Sequence, residues 1–257
     1  MSDLLLCERD NRGVVTLRLN RPGKHNALNA ELINALSEQI KKLHEDETVR
    51  VLVLSGEGKS FCSGADLSWM QEAVEFDEDA NYEDAYSLAE LLMALYEFNK
   101  PTIARINGDA YGGGIGLLAS CDITIADENA NFAFTEVRLG LIPAIISPYI
   151  VLSLGARQTQ RLFMTAERFN VQQAVDYGLI QHCVNAESLD KYVEINIASL
   201  LKAGPKALSE TKELLHKLTP LAHHEELARC IARIRVSDEG QAGLRAFLSK
   251  TSPPWRA

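Results

Sequence analysis

Two short, mostly apolar runs, Val51–Leu54 and Ile103–Ile106, each lead within a few residues into a glycine-bearing loop. Ser63-Gly64-Ala65-Asp66 follows the first and Gly112-Gly113-Gly114 the second. A strand-length apolar run with little alternation has no polar face to offer water, so it needs cover on both sides. Helical patterns supply that cover. Asn29 caps a helix predicted to reach about His44, with Leu32, Leu36, Ile40 and Leu43 on one face. A second helix is predicted from Ala85 to Phe98, stopping before Lys100-Pro101. An alternating strand at Val14–Asn20, entered through Asn11-Arg12-Gly13, precedes the first helix, and further strands are predicted at Asp122–Ala126 and Asn131–Phe134. Strands alternating with helices specify an α/β core with mainly parallel strands. From Leu189 onward the chain reads almost wholly helical. The expected organisation is therefore a core over residues 1–200 and a C-terminal helical region over 201–257, with the acidic stretch Glu72–Asp84 as a mobile connection.

The 257 residues suffice for one sizeable core, and 46% hydrophobic residues mark a globular chain. A net charge of −9 argues against nucleic acid as a partner, since counterion release needs clustered Lys and Arg. Backbone N–H groups can still hold the phosphates of a smaller ligand. The five cysteines (Cys7, Cys62, Cys121, Cys183 and Cys230) are scattered and form no C-x-x-C pair, so they are read as reduced thiols. The start of the chain carries Asp3 and Glu8 where a secretory signal needs basic and then apolar residues, and a cytoplasmic location is expected. The long uncharged stretch from Leu139 to Gly155 contains Pro143 and Pro148 and falls short of the roughly 20 apolar residues of a membrane span. It is expected to line a buried pocket, with no membrane as partner.

Glycine lets a backbone approach a ligand and aim its N–H groups at it. Two such loops converging on one carbonyl would make an oxyanion hole; the alternative is a pair of tight turns with satisfied amides. A dinucleotide is a poorer match for the triple glycine, because the third glycine of that fingerprint would fall at Leu117. His223-His224-Glu225-Glu226 looks metal-like, but adjacent helical histidines face different ways, and no metal site is expected. No G-x-S-x-G elbow surrounds Ser63 or Ser147, and Cys62 has no base beside it in sequence.

In order along the chain, several segments resemble the enoyl-CoA hydratase/isomerase (crotonase) superfamily. They are Asn20-Arg21-Pro22 with Asn26-Ala27-Leu28, Phe61-Cys62-Ser63-Gly64-Ala65-Asp66-Leu67, Lys100-Pro101-Thr102-Ile103-Ala104 leading to Asn107-Gly108 and the triple glycine, Cys121-Asp122, Phe134-Thr135-Glu136, Leu139-Gly140-Leu141-Ile142-Pro143, Ala174 and Gly178-Leu179-Ile180. The resemblance implies a spiral of ββα units with a C-terminal helical trimerisation region, assembled as a homotrimer or dimer of trimers. It implies an acyl-CoA thioester as ligand, with no separate cofactor because coenzyme A is part of the substrate. The N–H groups of Ala65 and Gly113 would hold the thioester oxygen. His25, Ala27, Gly64, Asp66 and Leu67, with Gly112 and Gly116, would line the CoA and substrate channel, and Phe247 and Lys250 would close its adenine end. For those last two, a core aromatic and a solvated charge are the alternative.

Family hydratases commonly use two glutamates, and here Glu136 is present while the other position is Gly116. Glu136 is either a carboxylate stabilised at a helix start or a desolvated general acid/base, with Phe132, Phe134, Leu139, Leu141 and Ile142 nearby in sequence. The run Pro143–Ile150 and the Gly116 replacement resemble the bacterial methylglutaconyl-CoA and γ-carboxygeranoyl-CoA hydratase branch, which implies a branched, carboxylate-bearing substrate and a place in leucine or fatty acid breakdown. Arg138 is then either a substrate counter-ion or a structural salt-bridge partner. The function expected is hydration of a branched α,β-unsaturated acyl-CoA. Its rivals are an isomerase using the single glutamate and a non-catalytic acyl-CoA- or RNA-binding protein of the same fold.

Overall fold

The computed structural model describes residues 3–219, 221 and 223–255. Its core is a repeated ββα step whose successive strands alternate between two sheets. The first strands of three successive steps, β3 (Val51–Gly56), β5 (Thr102–Ile106) and β7 (Ile123–Asp127), lie side by side and parallel in a six-stranded sheet. The second strands, β4 (Ser60–Cys62), β6 (Asp109–Tyr111) and β8 (Asn131–Ala133), lie side by side and parallel in a four-stranded sheet. The large sheet is completed by the hairpin β1 (Leu5–Arg9) and β2 (Val14–Leu19) at one edge and β10 (His182–Val184) at the other; β9 (Phe169–Asn170) closes the small one. This is the expected crotonase-type spiral.

Period-two burial explains why the runs of the large sheet are apolar on both faces. Leu52, Leu54, Ala104, Ile106 and Ala126 face the main core, while Val51, Val53, Ile103 and Ile125 pack on Leu189, Val193 and Ile197 of α7 (Ala186–Leu200). Helix α1 (Ala30–Glu45) starts where expected, with the Asn29 side chain accepting from the Leu32 N–H, and buries Leu32, Ile33, Leu36, Ile40 and Leu43.

The acidic connection is not a loose segment. Helix α2 (Leu67–Val74) and helix α3 (Glu78–Tyr96) occupy most of it, and α3 begins seven residues before the expected Ala85. Asp77 caps α3 by accepting from the Ala80 N–H, and the buried Asn81 amide donates to the carbonyls of Phe76 and Asp77. Asp84 is ion-paired with Arg235 of α9 (His224–Val236). These partners are remote or local polar caps, which an apolar periodicity does not register. The short strands β4 and β6 likewise lie inside segments read as loops, because three residues show no alternation.

Helix α4 (Gly113–Ala119) opens from the triple glycine, and α5 (Ser147–Thr165) is kinked at Gly155, whose φ is 71°. The C-terminal part comprises α8 (Pro205–Leu218), α9 and α10 (Asp238–Leu248). It does not stand apart from the core: Ala228, Ile231 and Leu244 belong to the same buried cluster as the strands, and α9 packs along α3. Among the described residues no helix is long and apolar enough to cross a membrane.

Candidate active site

The two glycine loops meet because their backbones pack without side chains between them. A Cβ on Gly64 would stand 2.9 Å from the Tyr111 carbonyl oxygen, and one on Gly114 only 2.3 Å from that of Cys62. Beside this junction lies a cavity of about 300 Å³, lined by both loops, by the turn after β8, and by α2, α3, α9 and α10.

The direction of two amides follows from local hydrogen bonding. Leu28 and Ala65 form a parallel β-bridge, in which the Leu28 N–H donates to the Gly64 carbonyl (2.7 Å) and the Asp66 N–H to the Leu28 carbonyl (2.8 Å). Such a bridge uses the residues flanking Ala65, so the N–H of Ala65 itself points to the opposite side. Gly113 is the first residue of α4, where an N–H has no partner within the helix. Gly112, at φ 47°, makes the sharp entry that glycine tolerates. Ala65 and Gly113 line the cavity, and neither N–H has an acceptor among the described residues.

Glu136 opens a single 3-10 turn, Glu136–Leu139, closed by Gly140 at φ 70°. The residue is half-buried, yet its Oε2 is sealed from solvent and has no hydrogen-bond partner among the described residues. A Cβ on Gly112 would lie 3.1 Å from Oε1, so the carboxyl borders the glycine loop. Burial raises its pKa to about 7, against a smaller lowering by the nearby N–H groups of Glu136 and Thr135. Desolvation thus outweighs the helix-start effect. Leu139, Leu141 and Ile142 share the cavity wall with it, whereas Phe132 and Phe134 pack around Phe169 in the core.

Of the residues singled out from sequence, Gly64, Ala65, Leu67, Gly112, Gly113, Glu136 and Phe247 line this cavity. The others sit elsewhere. Ala27 is buried and its carbonyl accepts from Arg21. The buried Asp66 carboxylate is 2.7 Å from the same guanidinium and caps α2 by accepting from the Ser68 N–H. His25 is exposed, with Nδ1 3.0 Å from the Ser60 hydroxyl. Lys250 is exposed beyond α10, and Arg138 is exposed and outside the lining. Gly116 is shut behind Ile146: a Cβ there would be 2.5 Å from Ile146 Cγ2 and 3.0 Å from Leu92 Cδ1. Ile146 occupies the space that a second glutamate would need.

The lesser candidates resolve simply. Cys62 is fully buried, and burial pushes its thiol up to about 12. His224 packs against Tyr86 with the two rings tilted, and the described residues hold no cluster of three or more potential metal ligands. Sequence reasoning missed Trp69, Asp84, Tyr111, Ile231, Arg235 and Leu244, all in the cavity wall. Tyr111, immediately before the triple glycine, and Trp69, two residues after Leu67, had a local signal; the others arrive from helices distant in sequence.

The family model described as enoyl-CoA hydratase/isomerase matches residues 9–257. The chain belongs to the enoyl-CoA hydratase/isomerase family. An Escherichia coli relative, 2,3-dehydroadipyl-CoA hydratase, is 30% identical over 260 residues, covering 100% of this chain and 99% of that protein. Among solved structures, an enoyl-CoA hydratase from Shewanella pealeana matches with TM-score 0.82 and 39% identity over 98% of this chain and 96% of its own. Another, from Mycobacterium avium, matches with TM-score 0.87 and 34% identity over 99% and 100%. This family member is an enzyme of the enoyl-CoA hydratase class, and its acyl-CoA chemistry gives the cavity a ligand class.

Proposed function

We propose that the enzyme hydrates a branched α,β-unsaturated acyl-CoA of the methylglutaconyl type, with coenzyme A entering only as part of the substrate and the subunits assembled as a homotrimer or dimer of trimers. The observation that carries the reading is one cavity lined by two residues whose N–H groups have no acceptor among the described residues and by the Glu136 carboxyl, whose Oε2 is sealed and unpartnered among them and whose pKa burial raises to about 7. The thioester oxygen accepts from the Ala65 and Gly113 N–H groups, which bind most tightly when that oxygen becomes an enolate; one such donor is worth roughly 2.7–4 kcal/mol. Ionised Glu136 takes a proton from water as the water oxygen bonds to the β-carbon. The protonated carboxyl then returns that proton to the α-carbon as the enolate collapses. Hydroxyl and proton thus come from one water, and the carboxyl ends as it began. A pKa near the working pH keeps both of its states accessible, the condition under which acid/base catalysis is most effective.

The branched acyl group is supported by the run Pro143–Ile150, of which Pro143, Ala144, Ile145 and Ile146 stand in the cavity wall, and by the loss of the second acid at Gly116. The test is turnover on a panel of branched, straight-chain and carboxylated enoyl-CoA esters. Loss of the conjugated enoyl absorbance with formation of a 3-hydroxyacyl-CoA is the expected result. A double bond that moves without water uptake, or binding without turnover, would overturn it.

A further inference from the structure

We propose that Arg235 determines acyl-chain specificity by binding a carboxylate at the far end of the acyl group. This rests on the cavity being the acyl-CoA site. Arg235 is the cationic side chain in the cavity wall among the described residues, in a lining that is mostly apolar and includes Met70, Leu88 and Ile231.

Its setting is built from three helices. The Arg235 side chain is 16% exposed and that of Asp84 12%. Arg235 Nη1 donates to Asp84 Oδ2 at 2.6 Å, and the Trp69 indole N–H donates to Asp84 Oδ1 at 2.5 Å. Nη1 also lies 3.5 Å from the Asn81 side-chain oxygen. Asp84 is thus met on both oxygens, and with Asn81 it holds the Nη1 end of the guanidinium. Nη2 and Nε, which form the other edge of the fork, have no acceptor among the described residues and are not sealed inside the protein. Two parallel N–H donors on one edge suit a carboxylate.

Position along the wall sets which part of the substrate arrives there. Leu88 of α3 approaches Gly113, with its Cδ2 3.7 Å from where a Cβ would be. Asp84 is one helical turn earlier on the same face of α3, roughly 6 Å along the axis. The guanidinium held by Asp84 and the Gly113 amide beside Leu88 thus face one cavity, offset along α3 by about a turn of helix, a separation of the order that a short acyl chain spans. A methyl terminus displacing water from that edge would leave its donors unpaired. A site built around such donors rejects the analogue lacking the acceptor.

The test uses two saturated acyl-CoA esters of equal chain length, one ending in a carboxylate and one in a methyl group, titrated calorimetrically into the full chain. The wild type is expected to bind the carboxylated ester about 10- to 100-fold more tightly. Arg235→Lys, which keeps the charge without the fork, should retain part of that ratio. Arg235→Gln combined with Asp84→Asn, which leaves no buried charge alone, should abolish it. Equal affinities in the wild type, or a ratio that survives in the double variant, would overturn the proposal. Neither ester can be hydrated, so the result is independent of turnover: discrimination without hydration of any enoyl ester would refute the hydratase reading alone, and hydration without discrimination would refute this one alone.

Discussion

Replacing Glu136 with Gln separates the two consequences of burying that carboxyl. In the folded chain its pKa is about 7, against 4.5 for an ordinary glutamate. Between those two pH values the folded protein holds a proton that the unfolded chain has lost, so this group's contribution to stability is fully present below pH 4.5 and is lost as pH rises through about 7. The difference of roughly 2.5 units corresponds to up to about 3 kcal/mol of destabilisation above pH 8. Glu136→Gln has no such titration. Its stability carries an offset that does not depend on pH, because an amide also leaves the sealed Oε2 position without a partner among the described residues, but the wild-type stability should fall relative to it by up to about 3 kcal/mol between pH 4.5 and 8. Urea unfolding midpoints of both proteins across that range measure the difference. The same variant should lose roughly 10²–10⁴ in turnover while ester affinity stays within a few-fold. A stability difference that is flat with pH would show that the carboxyl is not held neutral by burial, and near-wild-type turnover would remove it from the mechanism.

Gly116→Ala should destabilise the chain by roughly 1–3 kcal/mol, since its new methyl meets Ile146 Cγ2; thermal unfolding measures this, and Gly116→Glu should lose activity rather than gain it. Cys62 should resist alkylation in the native enzyme at pH 8, because its thiol is buried with a pKa of about 12; stoichiometric labelling mapped to Cys62 by mass spectrometry would contradict that. Deleting residues from Glu239 onward should weaken ester affinity and disturb the proposed trimeric assembly together, read by calorimetry and light scattering. Gly243 of α10 packs against the Leu139 carbonyl in the turn that carries Glu136, and Phe247 lines the cavity. A truncated protein with its size, affinity and turnover intact would exclude α10 from the site.

The parts of the molecule legible in sequence are those whose cause is local. Helix α1 declares itself through the Asn29 cap and one apolar face, and β3 through a run with no polar side. The glycines at 64 and 112–114 mark close backbone approach, and the ordered motifs carry the family. The sequence also placed Glu136 beside apolar residues of its own turn. Tertiary structure alone decided the rest. The Ala65 N–H is left free by a bridge to Leu28, 37 residues earlier in the chain. The Gly116 position is filled by Ile146, and the acidic connection is ordered by a pairing of Asp84 with Arg235, separated by 151 residues. Local pattern reports which residues need burial or a cap. Which distant partner supplies it, and hence which donors and acceptors face the cavity, is set only when the helices and sheets pack.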